Sequence, residues 1–112
     1  MKVDTRPRRR NALRPAEKSA PAYLQWLRGR SCLIGGTCAG RIEAAHVGTS
    51  GKGVATKCAD AEAVPMCGLH HAEQHNAGIR TFEARHNVDL AKAAAEYWRA
   101  WPGRVAWESK LP

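Results

Sequence analysis

Between Ser19 and Gly29 the apolar residues Tyr23, Leu24 and Leu27 recur on one helical face, and Pro21 falls in a first turn where its missing N–H has no intrahelical partner. A short amphipathic helix is predicted there. From Cys32 to about Val47, glycines at 35, 36 and 40 and the mixed stretch Arg41-Ile42-Glu43-Ala44-Ala45-His46 predict a β-hairpin whose second strand ends near His46. A glycine-rich loop runs from Gly48 to Asp60. Pro65-Met66-Cys67-Gly68 is expected to be a tight turn leading into a helix that carries His70, His71, Glu73 and His75. Arg80 to His86 reads as one or two helical turns. Asp89 then caps a helix from Leu90 to Trp101, which Pro102-Gly103 stops. Leu90, Ala94, Tyr97, Trp98 and Trp101 lie on one face of that helix, a stripe that serves packing.

Length and composition narrow these elements to one domain. The 112 residues are 44% hydrophobic, but alanines make up much of that share, so the core should be thin and in need of extra support. Residues 1–14 combine high charge with few apolar groups and are expected to stay disordered until bound. The chain accordingly divides into a basic arm (1–18), a domain (19–102) and a C-terminal tail (103–112). The formal charge is +8, and its excess is N-terminal: residues 1–30 hold nine Lys/Arg against two Asp/Glu, whereas the remainder holds nine against eight. A cationic arm gains free energy by displacing counterions from nucleic acid, although solvated basic tails also exist without that role. No apolar run approaches the roughly 20 residues of a membrane span, and no secretory h-region follows the basic N-terminus, so a cytosolic location is expected.

In that compartment Cys32, Cys38, Cys58 and Cys67 stay reduced and read as metal ligands rather than as two disulfides of an exported protein. Cys67-x2-His70, on a turn entering a helix, offers sulfur and imidazole to one zinc ion. Cys32 and Cys38 are the preferred remaining ligands despite a five-residue gap, with Cys58 the other contender. Such a structural zinc would contribute folding energy that a thin core lacks. His71 and His75, four apart, point to the same side of a helix and can share a second metal.

Taken jointly, Cys67-x2-His70-His71-x3-His75, the preceding Glu43-Ala44-Ala45-His46, the Gly51-Lys52-Gly53 loop, Lys57, Asp60 and Val64-Pro65 resemble the HNH endonucleases of the phage recombination-enhancement type, over roughly residues 20–95. The resemblance implies an α+β domain, a small zinc-stabilised ββα-metal (HNH) fold with flanking helices. It implies a metal-dependent DNA endonuclease of phage or prophage type, working in the cytoplasm of a bacterial host with DNA and other phage DNA-processing proteins as partners. By the same resemblance His46 is the general base, His71 and His75 hold a catalytic divalent metal (Mg²⁺, Mn²⁺, Ni²⁺ or Zn²⁺), and Asp60 lies near the position that orients the base or approaches the metal. Many of the HNH endonucleases it resembles carry Asp or His just before the base as a further ligand, where this chain has Ala45. Lys52, Lys57, Arg80 and Arg85 are candidates for gripping the DNA backbone. The alternative is a catalytically inactive, zinc-stabilised DNA-binding module.

Overall fold

Pro21 opens helix α1 (Pro21–Arg28), which buries Tyr23 and Leu27 completely. Its N-cap is Ala20, which has no side chain to offer the helix, but the carboxylate of Asp60 accepts the Ala20 N–H at 2.7 Å. The computed structural model describes residues 18–48 and 59–111. Most of the basic arm, the loop with Lys52 and Lys57, and Cys58 lie outside the described residues.

The expected hairpin within 32–47 does not form. Strand β1 (Ile42–His46) pairs antiparallel with strand β2 (Ala63–Cys67), in a register that sets Ile42 against Cys67 and His46 against Ala63. Gly35 and Gly36 have φ of 73° and 68°, a left-handed backbone that cannot continue a strand, so the segment carrying Cys32 and Cys38 is an irregular loop. It docks on the outer edge of β2, where Leu33 N–H donates to the Pro65 carbonyl at 2.8 Å. Pro65, expected in a turn, lies inside β2 because a two-stranded sheet has only edge strands, on which an N–H turned away from the partner strand is dispensable.

Strand alternation divides the core between the two faces. Ala45, Val64 and Met66 pack with Phe82 and Leu90 on one side, whereas Ala44 and Ala63 meet Tyr23, Leu27 and Trp101 on the other. The Tyr23 hydroxyl donates to the Ala63 carbonyl at 3.0 Å and ties α1 to the start of β2. Full burial of side chains such as Phe82 and Met66 is worth about 1.5–3 kcal/mol each.

Helix α2 (Gly68–Ala77) follows β2 directly, so two strands lead into one helix. Helix α3 (Ile79–His86) buries Phe82. Helix α4 (Leu90–Ala100) has the expected cap, with the Asp89 carboxylate accepting the Lys92 N–H at 3.0 Å. Its apolar stripe is packing, as expected: Leu90, Ala94 and Trp101 are buried, with Tyr97 and Trp98 against them. The expected tail contains helix α5 (Arg104–Glu108), whose Trp107 packs edge-on to Trp98 and donates its indole N–H to the Ser19 carbonyl at 3.0 Å. The fold is a small α+β arrangement of a two-stranded sheet and helices. No described helix is long and apolar enough to cross a membrane.

Candidate metal centre and histidine pairs

Cys67 ends β2 and is the N-cap of α2, its sulfur accepting the His70 N–H at 3.4 Å. That position turns its side chain toward the loop docked on β2, which brings up Cys32 and Cys38. Gly40 lets the loop come close, since a Cβ there would stand 3.4 Å from the backbone of Gly68 at a φ of 85°. The four side chains converge as expected: Nδ1 of His70 lies 3.2 Å from Sγ of Cys67, 3.5 Å from Cys32 and 3.8 Å from Cys38. Their ligand atoms are all close enough to hold one metal ion. Tetrahedral zinc, with Zn–S of about 2.3 Å and Zn–N of about 2.0–2.1 Å, would separate sulfur from nitrogen by about 3.5 Å, so the donor set and its spacing both fit. The three described cysteines are free thiols, and no disulfide joins them.

The thiols ionise unequally. Burial opposes ionisation of Cys67, but the N–H groups of His70 and Ala39 and the thiols of Cys38 and Cys32 outweigh it, lowering its pKa from 9.0 to about 6. Cys38 moves the other way, raised to about 11 by desolvation and by its hydrogen bonds to Cys67 and Cys32. One thiolate forms readily at the helix N-terminus, and the next must form beside it.

Behind His70 stands a second group that residue spacing did not reveal. Glu73 accepts from Arg85 at 2.6 Å and from His86 at 2.9 Å, and the rings of His70 and His86 meet edge-on with centroids 5.3 Å apart. Arg85 first, then His86, holds the Glu73 carboxyl below the usual carboxylate range. Arg85, expected to grip DNA, is thus engaged within the domain by α2. Arg80 instead lines a surface hollow of about 580 Å³ with Val47, Gly78 and Asp89.

The remaining expected site residues form two pairs. His71 and His75 come together on α2, their Nε2 atoms 3.1 Å apart, and Nδ1 of His71 meets Oε1 of Glu43 at 2.5 Å. His46, at the end of β1, meets Oδ1 of Asp60 at 3.0 Å. Asp60 is only 4% exposed, so its carboxylate is held from two sides, by Ala20 and by His46. Glu43 shares the sheet face of Ala45, whereas His46 shares that of Ala44. Among the described residues, no group of three potential ligands joins His46 to His71 and His75. Ala45 is fully buried in the core.

The sequence pattern gives Glu43 no role of its own. The available signal was its place two residues before Ala45, which on a strand means the same face.

Comparison with curated proteins and with solved structures finds no match to the chain. Comparison with protein families does, over residues 1–100 of the 112. The chain therefore belongs to the family described as "Protein of unknown function (DUF968)".

Proposed function

We propose that the chain is a metal-dependent DNA endonuclease of the phage or prophage HNH type, built as a ββα-metal domain around a structural zinc. Cys32, Cys38, Cys67 and His70 would hold that zinc. His71 and His75 would hold a divalent metal, which when bound supplies positive charge to a scissile phosphodiester. Two imidazoles favour Mn²⁺, Ni²⁺ or Zn²⁺ over Mg²⁺, which takes mainly oxygen ligands.

The observation that carries the reading is the His46–Asp60 pair. With Nε2–H of His46 donated to the carboxylate, Nδ1 keeps its lone pair and accepts a proton from water. Asp60 also stabilises the imidazolium that results, and its second oxygen is fixed by the Ala20 N–H. His46 retains a side chain 36% exposed, so water reaches it. Backbone contacts would fall to Arg80, Lys52 and Lys57. DNA is the proposed partner and the bacterial cytoplasm, where thiols stay reduced, the proposed compartment.

A second reading, a zinc-stapled DNA-binding module without catalysis, is favoured by the buried Ala45 and by the placement of His46 and Glu43 on opposite sheet faces. Incubation of supercoiled plasmid with Mg²⁺ or Mn²⁺, with an EDTA control, separates the two. The nuclease reading requires metal-dependent nicking that His46→Ala removes. Plasmid bound but left intact by the wild type selects the module.

A further inference from the structure

The His71 imidazole is engaged at both nitrogens. Nδ1 faces Glu43 at 2.5 Å, and Nε2 faces Nε2 of His75 at 3.1 Å. The two rings are tilted by 44°, with centroids 4.7 Å apart. A carboxylate accepts hydrogen bonds and, when ionised, cannot donate them, so Glu43 selects the tautomer of His71 that carries its proton on Nδ1. The Nε2 lone pair of His71 is then turned toward His75.

Glu43 sits beside the start of α2. It lies on β1 opposite Met66, and its other oxygen stands 3.5 Å from the position of a Cβ on Gly68, at the first residue of α2. The positive end of the helix dipole favours a carboxylate there. The same sheet face offers no alternative, because Ala45 is sealed beneath Val64, Met66 and Phe82.

We infer that Glu43 is a positioning residue whose carboxylate fixes the His71 tautomer and so makes Nε2 of His71 and Nε2 of His75 a paired-nitrogen port for a borderline first-row divalent cation such as Ni²⁺. This inference rests on the proposed metal role of the two histidines and adds the residue that sets them. Two nitrogens bound at about 2.0–2.1 Å to one ion lie about 2.9–3.4 Å apart between octahedral and tetrahedral geometry, and the 3.1 Å separation falls in that interval. A carboxylate on the far nitrogen of a ligating histidine raises its basicity, and loss of such a partner costs about 10–100-fold in metal affinity. The chemistry sets a preference: an N,N pair suits Ni²⁺ or Zn²⁺, whereas Mg²⁺ gains little from it.

The test uses the full chain with its thiol site filled by zinc beforehand. Ni²⁺ is titrated calorimetrically into wild type, Glu43→Ala, Glu43→Gln and His75→Ala, with zinc content and melting temperature measured for each. The expected result is a Ni²⁺ event in the wild type that His75→Ala removes and that Glu43→Ala weakens about 10–100-fold. Glu43→Gln, which keeps an acceptor oxygen, should recover much of the loss. Imidazole ¹⁵N shifts of the nickel-free proteins provide the second readout, with the Nδ1–H tautomer of His71 dominant in the wild type and mixed tautomers in Glu43→Ala. Absent Ni²⁺ binding, or equal affinity and tautomer across wild type and Glu43→Ala, overturns the inference. Because no DNA is present, Glu43-dependent binding in a protein that nicks nothing would sink the nuclease reading and leave this one standing.

Discussion

His46 and Asp60 stand 3.0 Å apart, imidazole against carboxylate, at the junction of β1 with the short turn that enters β2. The carboxylate also receives the Ala20 N–H, so three segments of the chain meet on one buried group. If this pair activates water, His46→Ala should lower plasmid nicking by about 10²–10⁴-fold, the usual contribution of a general base. Asp60→Asn should lower nicking while retaining an oxygen for Ala20, so its melting temperature should fall less than that of Asp60→Ala. Nicking at the wild-type rate by His46→Ala would remove His46 from the reaction.

Convergence of three thiols and His70 on one point predicts dependence of the fold on metal. Structural zinc contributes about 10–16 kcal/mol of apparent binding energy in small zinc domains, and that energy is folding energy. Cys67→Ser, at the buried ligand that also caps α2, should therefore lose zinc and melt well below the wild type. Elemental analysis and calorimetry check this, and wild-type zinc content with an unchanged melting temperature would contradict it.

The unequal thiols give the metal-free protein a distinctive pH profile. The Cys67 thiol, at about 6 against an ordinary 9.0, binds fewer protons folded than unfolded, so its contribution is complete above pH 9 and is lost as pH falls through 6. Cys38, raised to about 11, acts in the opposite sense and erodes stability between pH 9 and 11. Urea unfolding in chelator and reductant should show the contribution of these thiols peaking near pH 9. The rise from pH 6 to 9 should be absent in Cys67→Ala, and an identical profile in the two proteins would disprove the assignment.

Tyr23 tests the other face of the sheet. Its hydroxyl is the buried donor to the Ala63 carbonyl, and burial pushes its pKa upward. Tyr23→Phe keeps the ring contacts with Trp98 and Trp101 but leaves that carbonyl short of a partner, at a cost of about 1–3 kcal/mol. Chemical denaturation measures the loss, and zinc content should be unaffected because the metal ligands are elsewhere in the domain.

What could be read along the chain was local. The α4 stripe and its Asp89 cap, the helical spacing of His71 and His75, and the Cys67-x2-His70 turn all depend on residues within a few positions of one another, where helix geometry alone decides who meets whom. The grouping of Cys32 and Cys38 with Cys67 and His70 is also legible, because cysteines that form no disulfide have few other uses in a thin-cored chain.

Pairings across long separations needed the tertiary structure. It decided that β1 takes Ala63–Cys67 as its partner, that Asp60 holds both His46 and Ala20, that Arg85 is spent on Glu73, and that Trp107 folds back onto Ser19. Strand alternation states which residues share a face, but the face acquires an inside and a neighbour only when a second strand and the helices pack against it. For that reason Glu43 and His46, three residues apart in one short strand, could be taken for parts of a single centre until packing assigned one to α2 and the other to the side of α1.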